Sequence, residues 1–162
     1  MKVNWKGALW ALAFGMIISA CGSSQSGEAQ NEESRMDQIV EAYLSLKDAF
    51  VASDPDEAQE KAETLMASLA EVEGMSGVEK EAHAIHNSQD IEEQREHFES
   101  LSESVYQAVS EADGLNKTLY RQYCPMAFDN KGAFWISDSD KVRNPYFGDA
   151  MLKCGSVKEV IE

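Results

Sequence analysis

Positive charge is scarce in this chain, where 14 lysines and arginines stand against 29 aspartates and glutamates in 162 residues, for a formal net charge of −15. A surface that acidic repels phosphate backbones and anionic headgroups, which argues against nucleic acid as a partner, and it tends to concentrate cations. Most of these charges read as a solvated face that keeps the protein soluble. Histidine is scarce too, with three copies, so nitrogen ligands for a metal are few. His83 and His86 lie three apart and share a helix face, but they read as solvated helix residues, and His97 lies off the apolar face of its helix with nothing beside it. Signatures of catalysis are missing: there is no Ser-His-Asp elbow, no phosphate-cradling glycine loop and no HExxH. The chain is therefore not read as an enzyme. No internal repeat is found, and no second long hydrophobic run follows the first twenty residues. Cysteine occurs three times, at Cys21, Cys124 and Cys154.

What is present begins with a targeting segment. Lys2 and Lys6 form a positive start, and Ala8 to Ile18 is an apolar run too short to span a membrane. The run ends in Ile18-Ser19-Ala20-Cys21, which resembles the lipobox of bacterial lipoproteins. That resemblance implies a signal peptide over 1–20, cleavage before Cys21 and acylation of the new N-terminal cysteine. The expected location is the bacterial cell envelope, lipid-anchored and extracytoplasmic, facing the periplasm. Removing two lysines and no acids leaves 12 Lys+Arg against 29 Asp+Glu, a net charge of −17. Residues 21–34, "CGSSQSGEAQNEES", contain no large apolar residue and read as a disordered tether. Residues 35–162 fit one small domain.

Within that domain, Met36, Ile39, Val40, Tyr43, Leu46 or Lys47, and Phe50 recur at spacings of three and four, the stripe of an amphipathic helix over about 35–52. Asp54 is placed to cap a second helix with Pro55 at its first position. Ala58, Ala62, Leu65, Met66, Leu69 and Val72 mark its apolar face, and "GMSG" breaks it. Val78, Ala82 and Ile85 outline a third helix. Asp90 can cap a fourth in which Ile91, Arg95, Phe98, Leu101 or Ser102, Val105 and Val109 hold one face until Gly114. Short connections favour antiparallel neighbours. The expected fold is mainly α, an antiparallel bundle of about four helices followed by a small C-terminal β-hairpin and loop region. The hairpin comes from Leu119–Tyr123 and Ala133–Ser137, with "DNKG" supplying turn residues between them.

Sulfur is concentrated beyond the helices. Cys124-Pro125-Met126 and Met151-Leu152-Lys153-Cys154 bracket a Gly- and aromatic-rich segment. Thiolates and thioethers are soft donors, and softness selects Cu(I) or Ag(I) over Ca²⁺ and Mg²⁺. Zinc fits less well, because a structural site wants four Cys or His ligands. The competing reading is a disulfide. Two cysteines left over in an oxidising compartment tend to pair, and closing a loop of about thirty residues stabilises by roughly 3–4 kcal/mol in the chain-entropy account. Spacing leaves both readings open, and both require Cys124 and Cys154 to meet.

The stretch "YCPMAFDNKGAFWISDSDKVRNPYFGDAMLKCG", preceded by "SQDIEEQREHFESLSESVY", resembles an uncharacterised domain family of Bacteroidetes-type bacteria. That family occurs as stand-alone lipoproteins and fused to periplasmic adaptor subunits of copper/silver efflux pumps. The resemblance spans about residues 36 to 160. It is strongest in Cys124-Pro125-Met126, Trp135-Ile136-Ser137, Arg143 to Gly148, and Met151 to Cys154, and weaker in "DIEEQREHF". It implies an association with heavy-metal handling, most of all copper, and it carries over Cys124, Met126, Met151 and Cys154 as metal ligands. Trp135, Arg143, Asn144 and Tyr146 are expected to build the scaffold beneath them.

Two functions follow. One is a lipid-tethered module that binds Cu(I) or Ag(I) through the Cys/Met cluster and serves efflux or buffering. The other is an interaction module, stabilised by a Cys124–Cys154 disulfide, that docks on an efflux adaptor or envelope complex without metal.

Overall fold

The computed structural model describes residues 25–70, 72–112 and 115–162, with side chains from residue 35 onward. The signal segment 1–20, Cys21 and residues 22–24 lie outside the described residues. Four helices, α1 (Gln25–Ala52), α2 (Pro55–Ser68), α3 (Ser76–Asn87) and α4 (Ile91–Glu111), precede three strands, β1 (Leu119–Cys124), β2 (Ala133–Ser137) and β3 (Ser156–Ile161). Consecutive helices pack on one another as a bundle, and α4 packs against β2 to join bundle to sheet. The fold is mainly helical with a small antiparallel sheet at its C-terminal side, in the order β2-β1-β3.

The caps anticipated from sequence form. Asp54 accepts from the Glu57 amide at 2.9 Å, and Asp90 accepts from Glu92 and Glu93 amides at 2.9 and 3.3 Å. Each satisfies donors that the first helical turn leaves unpaired. Helix α2 stops at Ser68, short of the expected Leu69 and Val72, and two further features differ from expectation. Helix α1 begins at Gln25, so residues 25–34, read as tether, have helical backbone; six of the ten are glutamate, alanine or glutamine and none is proline, so the helix propagates backwards through Gly27 at a cost of about 1 kcal/mol. Strand β3 was not anticipated at all.

Helix α1 is more central than a one-face stripe implies. Ile39, Val40, Ala42, Tyr43, Leu44, Leu46, Lys47, Ala49, Phe50 and Val51 are all buried, which covers most of its circumference, as in helices enclosed by a core. It ends in a left-handed turn at Ser53, whose φ is 56°. The Asp54 amide reaches back to Ala49 O and the Ser53 amide to Phe50 O, each at 3.1 Å, closing the orphan carbonyls as a glycine terminus ordinarily would.

An aromatic cluster joins the two layers. Phe98 of α4 lies 5.5 Å from Tyr43, 4.7 Å from Phe50 and 5.9 Å from Tyr146, centroid to centroid. Such pairs add about 0.5–1.5 kcal/mol beyond the area they bury. The Tyr43 hydroxyl bonds Ser102 Oγ at 2.9 Å and accepts the Ile136 amide at 3.0 Å. It thereby ties α1, α4 and β2 at one atom, and burial pushes its phenol well above the ordinary tyrosine range despite those two hydrogen bonds. Arg121 of β1 lies over the rings of Tyr106 and Phe134, at 3.6 and 4.1 Å from their centroids, and bonds Glu103 at 2.7 Å.

Candidate thiol site

Cys124 is the last residue of β1, and Pro125 after it has no amide to continue the ladder. On one side β1 pairs with β2, Cys124 facing Ala133. On the other it pairs with β3, where Tyr123 faces Ser156. The chain entering β3 through Cys154 and Gly155 therefore runs alongside the end of β1. Gly155 has φ +141°, and a Cβ there would sit 2.9 Å from Tyr123 O and 3.0 Å from the Trp135 ring. Only glycine allows that approach without displacement.

The segment carrying Cys154 is fastened by Asn144, which is fully buried. Its Nδ2 donates to Cys154 O at 2.8 Å, its amide to Leu152 O at 2.8 Å, and its Oδ1 accepts from Tyr146 N at 2.8 Å. Its carbonyl accepts from Gly148 N at 3.0 Å, and Cys154 N donates to Met151 O at 2.9 Å. Tyr146, under this turn, donates from its hydroxyl to Phe134 O and meets Trp135 edge-on at 5.9 Å.

The two thiols come together in this frame. Cys124 Sγ and Cys154 Sγ lie 3.0 Å apart, both as free cysteines, against about 2.05 Å for a covalent disulfide. Cys124 is buried and Cys154 half-buried. The hydrogen bond with Cys124 pushes the Cys154 thiol above its usual range, and burial and the charge of a Cys124 thiolate push the same way.

The methionines do not complete a cluster. Met126 is 47% exposed at the start of the turn after β1, and Met151 is half-buried at the end of the 3-10 turn Gly148–Ala150. Among the described residues no Cys/Met cluster is formed, and no group of three or more His, Cys, Asp or Glu side chains is placed to hold a metal. Two soft donors at one point fit a low-coordinate soft ion, and the methionines sit on the two segments that bring those donors.

Other expectations divide. Trp135, Asn144 and Tyr146 are buried beneath the site, as scaffold residues should be. Arg143 is exposed; the arginine that holds the loop is Arg95 of α4, which donates from Nε to Pro145 O at 3.0 Å. Arg95 sits on the apolar stripe of α4, and a cation in an apolar stripe was the available signal. His83 is exposed and His86 Nδ1 meets Gln59 O at 3.2 Å. His97 is not isolated, since its Nδ1 lies 2.7 Å from Glu81.

No curated protein and no solved structure matches the chain. The model of one family does match, over residues 39–117. That span runs from the buried part of α1 to two residues before Leu119, where β1 opens. The shared part is thus the helical bundle, which carried the weaker side of the resemblance, and both site cysteines lie beyond it. Over that span the chain is similar to an uncharacterised domain family, described as a protein of unknown function (DUF3347).

Proposed function

We propose that this is an envelope lipoprotein, anchored through an acylated Cys21, that binds Cu(I) or Ag(I) through Cys124 and Cys154 and serves heavy-metal efflux or buffering. The observation that supports the reading is the meeting of the Cys124 and Cys154 sulfurs, one buried and one reachable from solvent, and their 3.0 Å contact must open for an ion to sit between them. Two thiolates suit a soft, low-coordinate ion. Met126 and Met151 act as weaker or alternating thioether ligands, which requires their side chains to swing toward the thiols. Both thiols lose protons on binding, so affinity falls as pH drops.

The test is a Cu(I) titration of the reduced protein against a competing chelator. Wild type competes, Cys124→Ser or Cys154→Ser abolishes tight binding, Met126→Leu or Met151→Leu weakens it, and His83→Ala has little effect. Failure of reduced wild type to compete removes the metal reading. The second reading, a disulfide-stabilised module that docks on an efflux adaptor or envelope complex, draws on the complete burial of Cys124. A disulfide that persists in protein taken from cells, with no metal competition, favours it. Intact mass of membrane-extracted protein tests the anchor, since an unmodified chain starting elsewhere than Cys21 removes it.

A further inference from the structure

The two thiols differ in access, and that difference carries a chemical order. Cys124 has no exposed surface, closed in at the end of β1, while Cys154 is partly open to solvent. Their sulfurs already lie 3.0 Å apart. The Tyr123–Ser156 register, the glycine contact at Gly155 and the Asn144 hydrogen bond to Cys154 O hold both backbones where they are. Little ordering remains to be done for the sulfurs to bond, and a pre-oriented intramolecular step outruns its bimolecular competitor.

We propose that Cys154 is a thiol–disulfide exchange site, with Cys124 as its resolving thiol, and that closing the pair shuts the soft-metal site. The co-reactant is an external disulfide, R–S–S–R, of low molecular weight or on a protein. In the first step Cys154 sulfur attacks one sulfur of R–S–S–R. A Cys154–S–S–R bond forms, the R–S–S–R bond breaks, and one R–SH leaves with the Cys154 proton. In the second step Cys124 sulfur attacks Cys154 sulfur, the bond to R breaks, and a second R–SH leaves with the Cys124 proton. The protein loses two electrons and two protons, and the external disulfide gains them. Both soft donors are then consumed in the Cys124–Cys154 bond. This last consequence rests on the metal-binding reading; the exchange order does not.

The experiment uses the reduced full-length chain and oxidised glutathione as probe, with samples quenched by acid and each cysteine read on its own peptide, Cys21 included. Glutathione is expected first on Cys154, decaying as the Cys124–Cys154 disulfide appears. Cys124→Ser accumulates the Cys154 adduct, and Cys154→Ser reacts at Cys124 more slowly by roughly tenfold or more, because a buried thiol must wait for local opening. Equal rates in the two variants, a first adduct on Cys124, or a wild-type adduct that persists would overturn the assignment. Should either serine variant lose its helical circular dichroism, iodoacetamide labelling of reduced wild type decides instead: Cys154 first supports the order, Cys124 first overturns it. For the gate, the closed and reduced forms are titrated with Ag(I). Binding by the reduced form that vanishes on closing supports it, and undiminished binding by the closed form overturns it. Correct exchange order in a reduced protein that binds no Ag(I) supports the exchange site and removes the metal reading.

Discussion

Replacing Arg95 with alanine tests whether one buried cation fastens the loop beneath the site to the helical bundle. Arg95 is 6% exposed. It donates to Pro145 O at 3.0 Å, to Ser53 Oγ at 3.0 Å and, at a long 3.4 Å, to Phe50 O. The last two acceptors lie at the C-terminal end of α1, where a positive charge is favoured by the helix dipole. Its ion pair with Glu92, at 2.6 Å, involves a carboxylate whose side chain is 73% exposed and adds at most about 1 kcal/mol. The two 3.0 Å bonds come from a charged donor and each add about 1.5–3 kcal/mol. Relief of the arginine's own desolvation offsets part of that loss. The expected cost of Arg95→Ala is about 3 kcal/mol, which in urea lowers the midpoint by roughly 1.5 M for an m-value near 2 kcal/mol/M. Arg95→Lys keeps the charge but not the fork and should lose about half as much, while Glu92→Ala should cost under about 0.5 kcal/mol. A loss below about 1 kcal/mol for Arg95→Ala, or a lysine variant as stable as wild type, would refute the reasoning.

Asn144→Leu is expected to free the turn that carries Cys154, at about 2–3 kcal/mol for the buried partners it leaves. A Cu(I) titration should show weakened binding although every sulfur ligand is intact, and unchanged affinity would count against Asn144 as the positioning residue. Gly155→Ala pushes a methyl onto Tyr123 O and Trp135 at a positive φ; thermal unfolding should show a cost of about 1–3 kcal/mol, and an unchanged midpoint would contradict the close approach. Burial pushes the Glu81 carboxyl up, but hydrogen bonds and charges from Lys80 and His97 outweigh it and hold the group below its usual range. Its stabilisation is then full above the ordinary carboxylate value and disappears as pH falls through the lower folded value. Unfolding midpoints of Glu81→Gln should accordingly converge on wild type toward acid pH and fall short of it near neutrality, and a constant gap would refute the linkage.

Helices α2 and α4 were legible because local chemistry and pattern agree: Asp54 and Asp90 cap them, and Ala58, Ala62 and Leu65, or Phe98, Leu101, Val105 and Val109, recur at helical spacing and are buried. The approach of Cys124 to Cys154 was legible for a different reason, since every use of the two residues needs it. Strand β3 was not, because "SVKEVI" at a sheet edge buries only Ile161 and therefore lacks the alternation that marks a strand with one face in the core. The partner of His97 was equally hidden. Glu81 is sixteen residues away on another helix, and helix-to-helix pairing leaves no trace in local spacing. The role expected of Arg143 belongs to Arg95, fifty residues before the Pro145 carbonyl it holds. Which of two arginines turns inward is decided by the packing of α4, not by proximity in the chain.

The Tyr43 hydroxyl has a consequence for solubility. A sheet of three strands has two rims, and the rim of a strand offers free amides and carbonyls to any passing chain. On β2 the Ile136 amide is taken by Tyr43 Oη, so a helix covers that rim with a phenol where another strand would otherwise add. On β3 Lys158 and Glu159 are both exposed, Glu159 accepting from the Tyr106 hydroxyl of α4 at 2.9 Å, and charges on an edge strand discourage stacking of copies. Removing one oxygen with Tyr43→Phe would leave the Ile136 amide and the Ser102 hydroxyl buried without this partner, so the variant should lose about 1–3 kcal/mol in urea unfolding yet stay monomeric by light scattering, because the phenyl ring still closes the rim to another strand.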